Sequence, residues 1–142
     1  MDIFFLGDVH GQFDYLNWKI KDNPDVFNNS SIIQVGDFGI GFKYNESSEK
    51  ISLKKLNDTC VKHNIHIYAI RGNHDNPSYF NQNHDPVYSN IHLVPDYSVL
   101  TIDGKNILCI GGAISIDRVY RIEGIDYWKD ENFIFDEKRL IY

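Results

Sequence analysis

Thiols are scarce in this chain of 142 residues: Cys60 and Cys109 are its only cysteines. They form no C-x-x-C pair, and both read as reduced residues of the core. Basic residues are also in the minority. The 14 Lys and Arg stand against 20 Asp and Glu, a net charge of -6. That balance argues against a nucleic-acid backbone as a binding partner, which calls for a basic face. Nucleic acid stays open only as a substrate. Long apolar runs are missing as well. No stretch nears the ~20 residues that span a bilayer. At the N-terminus, Asp2 replaces a basic start, and residues 3–6 are too short for an export core. A soluble, cytoplasmic protein with no membrane partner is expected. Internal repeats and long low-complexity segments are absent too.

What remains is an ordinary globular composition, 42% hydrophobic and 24% charged. The length fits one domain, 1–142, and such a chain buries roughly two-thirds of its unfolded surface. Residues 3–6 (IFFL) read as a strand buried on both faces, ending at Gly7-Asp8. Phe13, Leu16 and Ile20 then recur at helical spacing. A second apolar run, 32–35, ends at Gly36-Asp37. Residues 46–63 follow, with Leu53, Leu56 and Cys60 on one helical face, and a third run, 65–70, ends at Gly72-Asn73. Strand, helix, strand, helix, strand predicts an α/β layer with parallel strands. Beyond Pro77, residues 91–94, 97–102 and 106–110 read as a meander, with turns at Pro95-Asp96 and Asp103-Gly104.

Three strands thus end alike, each with a glycine and then a polar residue able to bind metal. The endings are Gly7-Asp8-Val9-His10-Gly11, Gly36-Asp37 and Gly72-Asn73-His74-Asp75. In α/β sheets, ligand sites gather at the carboxyl ends of the strands. Carboxylate, imidazole and amide without thiolate suit hard or borderline divalent cations. Asp8 and His10 can chelate one ion, Asp37 can bridge two, and Asn73 can give its amide oxygen to the second. Two such ions polarise a phosphoryl group and activate water. His74 is then the candidate general acid for the leaving oxygen, and Asp75 is the carboxylate expected to orient it.

GDVHG, GD and GNHD, in this order at strand ends, resemble the calcineurin-like metallophosphoesterases. The resemblance covers residues 1 to about 128, and GGAISIDRVYRIEGIDYW is similar to a stretch in bacterial and phage members. It implies a two-sheet sandwich flanked by helices, hydrolysing a phosphomonoester or phosphodiester. It implies two divalent cations, manganese ahead of iron, zinc, magnesium or nickel, held by Asp8, His10, Asp37 and Asn73, with His74 as the catalytic histidine.

Two departures qualify the match. GDFGIG lacks the later Asp and Arg of the GDxxDRG found in protein serine/threonine phosphatases, which leaves the substrate open. The later isolated His and the G-H-x-H of the family have no counterpart before Tyr142. A fragment, a split protein completed by another chain, and a natural short form that has lost catalysis are the three explanations. The last two make a completing chain or a second copy a candidate partner, and a binding or structural subunit the alternative function. Arg71 is read as either a phosphate contact or an ion pair. Arg118 and Arg121 flank a loop that could contribute to substrate binding, with solvated or salt-bridge roles favoured; His63, His66, His84 and His92 are assigned to non-metal roles, and Trp18 and Trp128 to core or interface ahead of substrate platforms.

Overall fold

A computed structural model of the chain describes residues 1–81 and 88–140. Four parallel strands make one sheet: β1 (Asp2–Leu6), β2 (Ser30–Val35), β3 (His66–Ile70) and β4 (Ile91–Val94), side by side in that order. Helices α1 (Phe13–Asp22) and α3 (Glu46–His63) carry the first two crossovers, with a short α2 (Pro24–Phe27) entered at Pro24. The register lines up Phe4, Ile32, Ile67 and Ile91 as one apolar row across the sheet. Those side chains meet Phe13 and Ile20 of α1 and Leu53, Leu56 and Cys60 of α3 in the core. Burial pushes the Cys60 thiol up to about 12, so it stays protonated and unreactive. α3 stops at Asn64, whose φ of 51° is left-handed and ends the hydrogen-bonded ladder.

The expected α/β class and helix positions are present, and two strand expectations are corrected. β1 is not buried on both faces. It lies at the edge of the sheet, and Phe5 is 69% exposed. β4 is not the first strand of a meander, because it joins β3 in parallel. The connection over residues 71–90 is long enough for a crossover, and a four-residue apolar run does not reveal its partner.

The hairpin expected at Asp103-Gly104 does form. β5 (Ser98–Ile102) and β6 (Lys105–Cys109) pair antiparallel as a second, two-stranded sheet. Asp103 and Gly104 both take positive φ, 50° and 72°, as the tightest hairpin turn requires. The remaining chain, through residue 140, is irregular apart from short 3-10 turns at Arg118–Tyr120 and Glu137–Arg139. Polar contacts tie it to the sheet. Arg71 is 5% exposed and pairs with Asp96 at 2.6 Å. It also donates to the main-chain carbonyls of Glu131 and Asn132, at 2.8 and 3.0 Å. Arg71 is therefore an internal ion pair. Among the described residues, no helix is long and apolar enough to cross a membrane.

Candidate metal centre

The carboxyl ends of β1, β2 and β3 lie together, and main-chain hydrogen bonds stitch their loops. Val9 N and His10 N both donate to Asp37 O, at 3.0 and 2.9 Å, and Gly11 N donates to Phe38 O at 2.9 Å. Buried Gln34 on β2 donates its side-chain amide to the carbonyls of Gly7 and Gly36. One glycine is demanded by contact. A Cβ at Gly72 would lie 2.1 Å from Asp37 Oδ1, so the bare backbone there lets the carboxylate rest across it.

His10, Asp37 and His74 each offer a ligand atom within 4.8 Å of the others. His10 Nε2 lies 3.9 Å from Asp37 Oδ2 and 3.2 Å from Asp8 Oδ2. His74 Nδ1 lies 3.1 Å from Asp37 Oδ2. The two imidazoles meet edge to face at 4.7 Å. Asp37 is the enclosed member of the group, with its side chain 16% exposed, whereas Asp8 is 67% exposed.

Asn73 is held from the other side. Its Nδ2 donates to Ser115 Oγ at 3.2 Å, which leaves the amide oxygen as the donor atom for a cation. Ser115 in turn gives its main-chain N–H and its hydroxyl to Glu131, at 2.7 and 2.9 Å. Glu131 is fully buried, and Arg118 balances its charge through Nε and Nη2 at 3.1 and 3.0 Å. A buried carboxylate needs such a partner.

Asp75, expected to orient His74, is corrected: it is turned the other way. Its carboxylate is fully buried and accepts four main-chain N–H groups. These are Phe38 at 3.2 Å, Gly39 at 2.7 Å, Ile40 at 3.2 Å and Gly72 at 2.8 Å. Burial pushes this carboxyl up to about 7, against the downward pull of those donors. Asp75 clamps the loop after β2 to the loop after β3. The carboxylate that meets His74 is Asp37.

Arg121, for which the sequence favoured a solvated or salt-bridge role over substrate binding, reaches the centre. Its Nη2 rests against His74 Nε2, while Nε donates to Asp117 at 2.9 Å and Nη1 to the Asp126 carbonyl at 3.1 Å. Its place in the GGAISIDRVYRIEG stretch was the signal that could have singled it out, as with Ser115. Glu131 has no such signal, lying just beyond the stretch that carries the resemblance.

Among the described residues, the other histidines take no part. His63 Nδ1 meets Asn28 Oδ1 at 2.7 Å. His66 and His92 stack with Tyr68 on the sheet face away from the helices, and burial beside His66 lowers the His92 pKa. His84 falls outside the described residues. Trp128 is buried against Phe42, and Trp18 is 52% exposed.

The donor set suits divalent cations. Ligands of one ion, each at about 2.0–2.2 Å from it, stand roughly 3–3.5 Å apart in tetrahedral or octahedral geometry. The spacings of 3.2 Å between His10 and Asp8 and 3.9 Å between His10 and Asp37 fall in or near that range. All the donors are oxygen or nitrogen, as hard and borderline ions prefer.

The family model for calcineurin-like phosphoesterases matches residues 1–140 of the chain. No match to a curated protein was found.

Proposed function

The chain belongs to the calcineurin-like phosphoesterase family, and we propose that it hydrolyses a phosphate monoester or diester with two divalent cations, manganese foremost. The observation that carries this reading is the convergence of His10, Asp37 and His74 within 4.8 Å at the ends of adjacent strands. In the proposed arrangement Asp8 and His10 hold one cation, Asp37 is shared, and Asn73 gives its amide oxygen to the other. Bound divalent cations supply Lewis-acid polarisation of the phosphoryl group and make water acidic enough to attack near neutral pH.

The chain's own residues do the rest. Asp37 sets the His74 ring by accepting from Nδ1. That leaves Nε2 as the ring atom facing the substrate, where, once it has taken up a proton from solvent, it gives that proton to the departing oxygen. The Ser115–Glu131 pair holds the Asn73 amide in one orientation, so its oxygen needs no reordering when a cation arrives.

Hydrolysis of p-nitrophenyl phosphate and of its bis ester, with manganese, tests the proposal against Asp37→Asn. The variant is expected to lose more than about 100-fold, since even partners behind the ligands are worth 10–100-fold. Equal rates in the two proteins would end the catalytic reading.

A second reading, a binding subunit that joins a completing chain or a second copy, draws on one observation. Phe5 and Val35 lie on the sheet face turned from the helices, 69% and 53% exposed, beside the open edge of β1. Exposed apolar strands of this kind are docking surfaces. Light scattering after size-exclusion chromatography tests it, and a monomer with manganese-dependent turnover overturns it.

A further inference from the structure

Four arginines are present in the chain, and three are committed elsewhere. Arg71 is sequestered with Asp96, Arg118 balances buried Glu131, and Arg139 pairs with Asp136 and lies over the Tyr97 ring. Arg121 alone among them sends a guanidinium nitrogen to the His10, Asp37 and His74 group. Resting on the phosphoesterase reading, we propose that Arg121 is the substrate's phosphoryl clamp, a residue that binds a non-bridging phosphate oxygen through Nη2.

The anchoring of the guanidinium supports this role. Its side chain is 13% exposed, and two of its three nitrogens are taken by Asp117 and by the Asp126 carbonyl. Asp126 is fixed in turn, because its Oδ1 accepts the Ile122 N–H at 2.7 Å. The fork is thereby held at a set angle, with Nη2 pointing at the centre. A lysine in the same loop would lack this geometry, since only the planar guanidinium can be gripped at two nitrogens and still present a third.

The present partner of Nη2 is uncharged, unlike the Asp117 carboxylate at Nε. Nδ1 of His74 gives its proton to Asp37, so Nε2 meets Arg121 as a neutral acceptor. A hydrogen bond from guanidinium to an anionic phosphoryl oxygen is shorter and roughly twice as strong as one between neutral groups. An entering phosphate ester therefore draws Nη2 off His74. The same exchange frees the Nε2 lone pair to take up a proton from solvent, which it then gives to the departing oxygen. Arg121 holds the position that the substrate later fills.

The test is calorimetric titration of inorganic phosphate into manganese-loaded wild type, Arg121→Ala and Arg121→Lys, with manganese titrations of each as the control. Arg121→Ala is expected to weaken phosphate binding about 10- to 100-fold, the value of one charge-assisted hydrogen bond, with manganese affinity unchanged. Arg121→Lys is expected to recover part of the loss. In steady-state assays KM rises more than kcat falls. Asp117→Asn, which loosens the anchor and keeps the guanidinium, is expected to show a smaller rise in phosphate Kd, and it carries the test should Arg121→Ala fail to fold. Equal phosphate Kd in wild type and a folded Arg121→Ala protein overturns the proposal, as does wild type that binds no phosphate. Absence of turnover in a wild type that binds phosphate through Arg121 would instead strike at the hydrolytic reading.

Discussion

Asp37 receives His74 twice: Oδ1 accepts the main-chain N–H at 3.0 Å and Oδ2 accepts ring Nδ1 at 3.1 Å. One carboxylate thus sets both the backbone turn and the ring of the residue proposed to protonate the leaving group. It also stands at the centre of the proposed cation site, 3.9 Å from His10 Nε2. Ring orientation and the proposed cation site share this single side chain.

His74→Asn keeps a hydrogen-bonding side chain of similar reach and removes the proton carrier. General-acid groups contribute about 10²–10⁴-fold. The loss in kcat is expected to be larger for phenyl phosphate than for p-nitrophenyl phosphate, whose leaving group needs less help. Comparing the two substrates checks it, and a uniform loss on both would reassign His74 to cation or substrate binding.

Ser115→Ala removes the hydroxyl between Asn73 and Glu131. Stability is expected to drop by about 1 kcal/mol, the value of one hydrogen bond. Manganese affinity is expected to fall about 10-fold or more, because the Asn73 amide is no longer held. Denaturant unfolding without metal and a manganese titration separate the two effects.

Asp75→Ala orphans four main-chain donors at once. Each buried N–H without an acceptor costs about 1–3 kcal/mol, so a loss of at least ~3 kcal/mol is expected. That is a large share of the ~5–15 kcal/mol that holds a domain together. Thermal unfolding of the metal-free protein measures it. Asp75→Asn, which keeps one acceptor oxygen, is expected to fall between.

Acid should weaken the fold through His92. Burial and neighbouring His66 depress its pKa in the folded state, whereas the unfolded chain titrates at the ordinary histidine value of about 6.5. The unfolded state therefore takes up the proton first as pH falls. His92's contribution is complete above about pH 6.5 and is lost as pH falls through the lowered folded value. Melting temperatures from pH 8 to pH 5 should decline less steeply in His92→Gln than in wild type.

Much of this architecture could be read from residue order. Three apolar runs, each closed by glycine and a polar residue, sufficed for parallel strands. Parallel strands leave Asp8, His10, Asp37 and Asn73 at one end of the sheet whatever the side-chain details. The hairpin at Asp103-Gly104 was legible because few residue pairs tolerate two positive φ angles in succession.

Chain order could not choose the carboxylate that orients His74. Adjacent residues such as His74 and Asp75 project in different directions, and Asp37, distant in sequence, arrives only through strand pairing. Nor could it place Arg121, Ser115 or Glu131 around the centre, since residues 111–131 carry neither helical nor strand periodicity. Periodic hydrophobicity encodes which face of an element is buried. Where a loop without period comes to rest is decided by long-range polar contacts, such as Arg71 to Glu131 and Ser115 to Glu131, which form only in the assembled fold.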